Sequence, residues 1–350
     1  MDTVKLIMLI ILMPVLSCQA DQSAGDIPSE YVNMVKNGIK SDMHFINENI
    51  NRDIELVLSN HSVPYGFAIA AECSSGRIIA MKEYSARGYK AGKYINDHLV
   101  CTSLFKTVPL AAAIGNGVYK PRSILKYRGS KYSELKYPPR QYENERTTTL
   151  AKATAFSNNA AYGNMGLVLG KERIVQYAEK FLFNDRVISG IRTGYIDSVS
   201  SERELKQLAA GLDFSYLTPL HGLMIAIALG NEGVLAYPRL TVSDLESSQR
   251  IISKTSADYI LEAMSGTTQY GTSAGIFRMD RKIADRTFAK TGSLHGSNPR
   301  GYYNWFMAVY KGEKQNYAVI ALVVNDPIWE IKASYLGFKT IQFIRKYEEH

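Results

Sequence analysis

Strand-like runs of apolar residues lie near both ends of this chain. Near the N-terminal end, runs at residues 66–72 and 77–82 flank a short polar turn at 74–76. Gly76 supplies the positive φ that such turns need, so the pattern predicts a β-hairpin.

A second pair of runs lies near the C-terminus, at residues 305–310 and 317–324, around the turn 311–314. Apolar residues at helical spacing precede the first pair over 46–59, and a closing helix is predicted over about 329–347. Strands at the two ends of the chain are therefore each accompanied by a helix.

Helical periodicity dominates the middle of the chain, where helices are predicted over residues 150–157, 171–181 and 219–230. The economical arrangement is an α+β fold with one antiparallel sheet formed by both chain ends, flanked by helices, and a mostly helical lobe inserted between them. No internal repeat or low-complexity linker divides the chain, so one domain is predicted over 46–350.

The first residues have a different character. Lys5 precedes an apolar run at 6–16, which is too short to span a bilayer comfortably and lies where an export signal belongs. The small residue before Cys18 resembles a bacterial lipoprotein cleavage box. We expect a lipoprotein-type signal peptide at 1–17, lipidated Cys18 as the membrane anchor and a tether at 18–45. The alternatives are a plain signal peptide or an uncleaved anchor, and every version exports the chain into the cell envelope, facing the periplasm or cell wall.

Composition and net charge limit the partners that this protein could bind. The 46% hydrophobic and 21% charged residues are those of an ordinary globular protein, and the formal net charge is +8. Export excludes nucleic acid, which leaves lipid head groups, cell-wall polymers or simple solvation as explanations of the charge. Cys73 and Cys101 can pair or remain free thiols. No Cys/His spacing resembles a metal site, and no cofactor is predicted.

The first stretch whose side chains could take part in catalysis is Ser103-Leu104-Phe105-Lys106, an S-x-x-K sequence. Two others occur, at 123–126 and 133–136, in polar surroundings broken by Gly and Pro. Ser103 instead opens an apolar run to 114 that predicts a helix containing Pro109.

A serine at a helix N-terminus has unpaired backbone N–H groups nearby, which favour a developing oxyanion. Lys106 returns to the same face one turn later, and burial among apolar residues lowers a lysine pKa enough for it to take the proton from Ser103. The alternative is a Ser cap beside a solvated lysine.

A second motif, Ser157-Asn158-Asn159, lies between the predicted helices 150–157 and 162–170. A short polar turn between apolar helices suits side chains that point into a cleft, with Ser157 as a proton relay and Asn159 as a ligand of a substrate amide. The alternative is a simple helix cap.

The third motif, Lys290-Thr291-Gly292-Ser293, is predicted to lie on an edge strand. Lys290 would supply positive charge for a substrate carboxylate, and Gly292 would let a substrate backbone approach. The Ser293 N–H would be a second oxyanion donor beside that of Ser103. The alternative is an exposed strand lysine.

Three such motifs in this order, on helix, loop and strand, resemble the transpeptidase domain of penicillin-binding proteins, and the class B type most of all. The resemblance runs over about 65–324. Residues 150–159 are similar to the family's helix into S-x-N, 218–238 to the next block, and 270–272 to its G-T element. About 133 residues separate Ser157 from the third motif, whereas β-lactamases have a clearly shorter interval.

The resemblance implies a serine DD-transpeptidase or DD-carboxypeptidase that acts on the D-alanyl-D-alanine end of peptidoglycan stem peptides and is acylated by β-lactams. Whether an amine or water resolves the acyl-enzyme stays open. The implied roles are as follows: Ser103 nucleophile, Lys106 base, Ser157 and Asn159 the S-x-N pair, and Lys290, Thr291, Gly292 and Ser293 the carboxylate-binding strand.

Two alternatives from other functional classes stay open. A β-lactamase needs a carboxylate or carbamylated lysine to activate water, and Glu143 and Glu145 lie in no recognisable deacylation motif. A non-catalytic β-lactam sensor or scaffold would keep only the cleft. The sequence departs from the family's pattern at Cys101-Thr102, which stands where the family usually has Pro-Gly and predicts a differently shaped nucleophile loop.

Overall fold

A computed structural model describes residues 44–89, 92, 94–95, 97–129, 144–188 and 190–350. The predicted signal peptide, Cys18, most of the tether, the S-x-x-K sequence at 133–136, and Glu143 lie outside the described residues. In the part of the chain that is described, no helix combines the length and apolarity needed to cross a bilayer.

Strands in the described residues are β1 Tyr65–Glu72, β2 Ile78–Tyr84, β3 Leu99–Val100, β4 Ile124–Tyr127, β5 Arg146–Thr149, β6 Val187–Ile188, β7 Ile191–Arg192, β8 Tyr195–Ile196, β9 Ser215–Leu217, β10 Val234–Ala236, β11 Ser248–Arg250, β12 Thr287–Ser297, β13 Arg300–Lys311 and β14 Asn316–Asn325.

Helices in the same residues are α1 Glu48–Asn60, α2 Thr107–Gly115, α3 Leu150–Ala155, α4 Asn159–Leu169, α5 Lys171–Lys180, α6 Glu202–Ala209, α7 Pro219–Gly230, α8 Lys254–Gln269, α9 Ala274–Phe277, α10 Arg281–Asp285 and α11 Ala333–Tyr347, with a 3₁₀ turn at Thr102–Lys106.

Both chain ends build one five-stranded antiparallel sheet, in the order β12-β13-β14-β1-β2. The N-terminal hairpin joins the C-terminal strands through β1 and β14, with Tyr65 opposite Val324 and Glu72 opposite Tyr317. The predicted α+β fold is confirmed, and β12 lies at one edge of the sheet as its sequence predicted.

Side chains on the central strands alternate between two hydrophobic clusters. On β13, Phe306 and Ala308 belong to the cluster that packs under α1 and α11, whereas Trp305 and Met307 belong to the cluster shared with the helical lobe. Because successive strand residues point to opposite faces, a strand covered on both sides is apolar throughout. This explains why the runs lack the polar alternation of a half-exposed sheet.

Helix α7 lies against the inner face of the sheet and is buried along its whole length. Thr218 caps it by accepting the backbone N–H of His221 at 3.1 Å, and Pro219 occupies the first turn, where no N–H partner is needed. His221 is fully buried; its Nδ1 accepts the Gly194 N–H at 2.9 Å. Burial lowers the pKa of His221 to about 4. This histidine supports the fold and lies outside the candidate site.

Two predicted helix boundaries are wrong in detail. Helix α4 begins at Asn159, three residues before its predicted start, because the Asn158 side chain caps it. The closing helix begins at Ala333, because the Asn325 side chain accepts the Glu330 N–H at 2.9 Å and donates to the Ile331 carbonyl at 3.1 Å, which holds this segment as a loop.

The sequence left open whether Cys73 and Cys101 form a disulfide. In the described structure both thiols are buried and free. Burial raises the pKa of both thiols above the usual range, so they are small apolar side chains at neutral pH.

Candidate active site

Ser103 lies in the 3₁₀ turn Thr102–Lys106, which continues directly into α2. The predicted single α-helix from Ser103 is wrong in this detail, since α-helical bonding begins at Thr107. Pro109 is the third residue of α2, in the first turn, where a proline is tolerated because the backbone N–H groups there have no partner within the helix.

Lys106 is fully buried beneath the turn that carries Ser103. Its Nζ lies 2.8 Å from Ser103 Oγ and 2.8 Å from Asn159 Oδ1, and it also donates to the carbonyl oxygen of Ala210. The first and second motifs, separated by more than fifty residues in sequence, therefore meet at one amine.

The protonation of this amine decides what it can do. Burial, followed by the nearby charge of Lys290, holds the pKa of Lys106 well below its usual range. A neutral amine has two N–H groups and one lone pair. Because the oxygens of Asn159 and Ala210 only accept, they take both N–H groups, and the lone pair is left for the Ser103 hydroxyl proton.

Ser157 occupies the turn between α3 and α4. The Ser157 N–H donates to the Thr154 carbonyl at 3.1 Å, and the Asn158 N–H donates to the Ala153 carbonyl at 2.8 Å. This pair of bonds is a Schellman motif, in which the residue after the helix takes a left-handed conformation; Ser157 has φ +52°. The turn ends one helix and starts the next, which brings Ser157 and Asn159 to the same cleft.

Lys290 lies on β12 and is 1% exposed. Its ammonium donates to Ser157 Oγ at 2.9 Å and to the Thr291 carbonyl at 2.8 Å. Burial lowers the pKa of Lys290 to about 7. The third motif thus joins the second through Lys290 and Ser157, as the second joins the first through Asn159 and Lys106.

The remaining residues of the third motif form the edge of the cleft. Thr291 Oγ1 lies 2.6 Å from Thr272 Oγ1, and the Ser293 hydroxyl accepts from the Asn304 side-chain amide at 2.8 Å. Asn304 also accepts the Ala333 N–H at 2.6 Å, which ties the edge strand to the start of α11. The hydroxyls of Thr291 and Ser293 are therefore each held by a neighbouring side chain.

A cleft of about 370 Å³ runs along this edge. Of the predicted site residues, Ser103, Ser157, Asn159, Thr291, Gly292 and Ser293 line it, with both lysines buried behind them. Residues that line the cleft but were not predicted as site residues are Phe156, Thr272, Asn304, Trp329, Lys332 and Ser334. An asparagine within an otherwise apolar strand was the available signal for Asn304.

Among the described residues that line the cleft, none is Asp or Glu. Glu145, the one described carboxylate considered for deacylation, pairs instead with Lys126 at 2.9 Å. Lys126, the lysine of the S-x-x-K sequence at 123–126, therefore has an ion-pair partner of its own. The charge available to a substrate in this cleft is therefore positive, from lysines.

Some aromatic residues after the third motif lie in the hydrophobic core, and others lie beside the cleft. Tyr303 and Trp305 are buried in the hydrophobic cluster shared with the helical lobe. Tyr302 instead contacts His295, with ring centroids 4.3 Å apart, and Trp329 at 5.0 Å. These three rings form a row beside the cleft.

Thr102 has an unusual backbone conformation, with φ +53°, which is costly for a β-branched residue. It stands where the sequence comparison expected glycine. Its hydroxyl is buried, has no hydrogen-bond partner among the described residues, and lies against Gly292. A Cβ at Gly292 would overlap this hydroxyl and lie 3.1 Å from the Ser103 backbone nitrogen.

Substitution of Gly292 is therefore expected to displace Ser103. Under the β-lactam acylation of Ser103 that the sequence resemblance implies, we expect Gly292→Ala to slow that reaction about tenfold to a hundredfold, the usual cost of overpacking. The rate is measured by stopped-flow or mass spectrometry. Because Thr102→Gly removes the overlapping atoms, the double variant should react faster than Gly292→Ala alone. Equal rates for the single and double variants would contradict this packing argument.

A protein-family model described as the penicillin-binding protein transpeptidase domain matches residues 66–341. No curated protein matches the chain.

Solved structures share the fold. Penicillin-binding protein 3 from Mycobacterium tuberculosis, complexed with aztreonam, is 15% identical with a TM-score of 0.72, over 87% of this chain and 79% of that chain. The D,D-transpeptidase domain of a peptidoglycan glycosyltransferase from Eggerthella lenta is 19% identical with a TM-score of 0.71, over 91% and 87%. The imipenem acyl-enzyme complex of penicillin-binding protein A from M. tuberculosis is 20% identical with a TM-score of 0.71, over 85% and 78%.

Proposed function

Because the chain belongs to the penicillin-binding protein transpeptidase family, we propose that Ser103 accepts the acyl group of a peptidoglycan stem peptide and that β-lactams acylate the same hydroxyl. The substrate is the D-alanyl-D-alanine end of the stem. In this role the protein works in the cell envelope. We also propose lipid anchoring through Cys18, which the sequence alone supports.

The acylation step uses the groups already described. Neutral Lys106 takes the Ser103 proton as Oγ attacks the carbonyl carbon of the penultimate D-alanine. The C–N bond to the terminal D-alanine then breaks, and its nitrogen gains, through Ser157, the proton that Lys106 took from Ser103, so that Lys106 is neutral again. An ester on Ser103 and free D-alanine result. The backbone N–H groups of Ser103 and Ser293 stabilise the oxyanion.

Substrate binding follows from the positive cleft. Lys290 supplies charge for the terminal carboxylate, and the hydroxyls of Thr291 and Ser293 supply hydrogen bonds. Asn159 binds the amide of the acyl part through its side-chain NH₂, since its oxygen already accepts from Lys106.

The observation that carries this proposal is the contact of buried Lys106 with Ser103 and Asn159. Burying an amine is costly unless it is paired or neutral. A non-catalytic scaffold would gain nothing from that cost. A β-lactamase would need a carboxylate or a carbamylated lysine to activate water. The described cleft residues include no carboxylate, and the proposal uses the Lys106 amine itself as the base for Ser103.

The test is incubation of the protein with a fluorescent penicillin, followed over time by intact mass and peptide mapping. We expect one stable adduct, on the peptide that contains Ser103. An adduct that forms and disappears with drug turnover would indicate a β-lactamase. No adduct would leave only the scaffold alternative.

A further inference from the structure

A strip of cations runs along the β4–β5 hairpin and the start of α3. Within residues 98–129 and 144–171, all of which the structure describes, Glu145 is the only carboxylate, and it pairs with Lys126 at 2.9 Å. The remaining cations of the hairpin and its flanks are exposed and make no ion pair with a described residue; they are Lys120, Arg122, Arg128, Arg146 and Lys152. We name these five residues the basic strip.

One end of the basic strip is held together by the backbone. Two hydrogen bonds, each 2.9 Å long, run from the N–H groups of residues 150–151 to carbonyl oxygens within residues 121–123. The turn that carries Lys120 and Arg122 therefore lies against the start of α3, which carries Lys152. These three cations are thereby concentrated in one small area of the surface.

The other two cations of the basic strip lie at the far end of the hairpin. Arg146 pairs with Tyr127, the residue before Arg128, so the two arginines are neighbours across the strands. Like charges that lack partners repel one another, and this repulsion acts along the whole hairpin. An anionic partner that covered the basic strip would relieve it.

Exposed apolar side chains accompany these cations. Ile124, on β4, is 59% exposed, and Val168, on α4, is 55% exposed. Helix α4 is fixed against the hairpin by the Asn164 side-chain amide, which donates to the Lys126 carbonyl at 3.0 Å. Val168 lies one turn further along the same face of that helix. The surface therefore combines positive charge with apolar side chains that solvent reaches.

This combination discriminates between two kinds of anionic partner. A bilayer offers lipid phosphates to the cations and, beneath the phosphates, acyl chains to the apolar side chains. A soluble anionic polymer offers charge alone, so Ile124 and Val168 would gain nothing from it. The observations therefore favour a lipid surface.

We propose that the basic strip, together with Ile124 and Val168, docks this domain on a bilayer that contains anionic lipids. The inference goes beyond the proposed acyl transfer and uses none of the groups of the cleft. It agrees with the proposed lipid anchor at Cys18, because such an anchor keeps a bilayer within reach of the domain.

Docking at the basic strip also orients the catalytic cleft. Helix α3 leads from the strip to Ser157 and is six residues long, which is about 9 Å. The cleft is therefore held at a short and fixed distance from the bilayer surface, whereas a lipid anchor alone sets no orientation.

The test measures binding of the protein to vesicles by co-sedimentation. The mature chain from residue 18 carries Cys18→Ser, so that no acyl chain contributes to binding. The vesicles contain equal parts of phosphatidylglycerol and phosphatidylcholine, and vesicles of phosphatidylcholine alone are the uncharged reference. We expect binding to the anionic vesicles only, and weaker binding as the salt concentration rises. Thermal unfolding checks the fold of every variant.

The charge variant is Lys120→Gln/Arg122→Gln/Lys152→Gln. Each cation near an anionic surface contributes about fivefold to the affinity, so we expect the partition coefficient to fall about a hundredfold. If this variant does not fold, Arg128→Gln/Arg146→Gln replaces it, with an expected fall of about twentyfold. The matched control makes the same change in net charge at exposed cations on α6 and α10 and should bind within about twofold of the wild type. It is Arg203→Gln/Arg281→Gln/Lys282→Gln.

The apolar variant, Ile124→Ser, separates a bilayer from a polymer. We expect it to bind the anionic vesicles about fivefold more weakly at low and at high salt, since it loses an apolar contact rather than a charge. Leu56→Ser, at a residue on α1 that is 49% exposed, is its control and should bind like the wild type. A soluble glycerol phosphate polymer should compete only weakly with the vesicles.

Three outcomes would overturn the proposal. The first is a wild-type protein that does not bind the anionic vesicles. The second is an equal loss in the two charge variants, which would assign the binding to net charge alone. The third is binding that Ile124→Ser leaves unchanged and the polymer abolishes, which would identify an anionic polymer as the partner. None of these outcomes affects the proposed acyl transfer, which penicillin labelling of Ser103 tests separately.

Discussion

Ser103→Ala is expected to abolish covalent labelling by penicillin and to lower donor turnover by at least about 10⁴-fold. The reason is chemical, since no other described hydroxyl contacts the Lys106 amine. Loss of one half-buried oxygen leaves the fold unchanged. Labelling is measured by gel fluorescence and intact mass, with thermal unfolding as the folding check.

The matched control for this variant is Ser123→Ala, since Ser123 also begins an S-x-x-K sequence. Its hydroxyl accepts the Lys120 N–H at 2.9 Å and lies in an exposed turn. We expect Ser123→Ala to label like the wild type. Persistent labelling of Ser103→Ala would show that the nucleophile has been wrongly assigned.

Lys106→Met is expected to slow acylation about 10²–10⁴-fold, the range for removal of a general base. Methionine keeps the buried volume but leaves Asn159 Oδ1 and the Ala210 carbonyl without their donor, so thermal unfolding is measured as the folding check. The rate constant for penicillin acylation measures the effect. Lys126→Ala is the control, because Lys126 is exposed and pairs with Glu145; a variant of Lys106 as fast as this control would refute the base assignment.

Under the proposed function, Lys106 and Lys290 set the pH dependence of acylation in the wild-type protein. Lys106 acts when neutral, so the rate falls as pH drops through its lowered pKa. Lys290 binds a carboxylate when charged, so KM for the peptide rises as pH increases through about 7. The resulting profile of kcat/KM is bell-shaped, and Lys106→Met should lose the acidic limb.

Much of the fold could be predicted from the sequence because its signals are local. The hairpins at both ends follow from apolar runs and short turns, and α7 follows from the helical periodicity of residues 219–230. Boundaries were less certain, because distant side chains set them. The start of α11 depends on Asn325, whose amide holds the preceding loop, and no periodicity records that contact.

Much of the candidate site could also be predicted from the sequence, for a different reason. Three short motifs on helix, loop and strand predicted the site residues, and six of these residues line the cleft. Asn304, Lys332 and Ser334 were missed because they reach the cleft only through the pairing of β12 with β13 and the packing of α11.

By itself, the sequence determined the order of elements and the identity of the candidate chemical groups, since hydrophobic period and motif spacing are properties of the local chain. Only the tertiary structure decided their environment. It buried Lys106 between residues more than fifty positions away, placed Thr102 against Gly292, and joined residues 272–276 to 329–335 around a second cavity beside the cleft. Desolvation and close packing arise from such distant contacts, so the pKa values and the cavities that chemistry requires exist only in the folded chain.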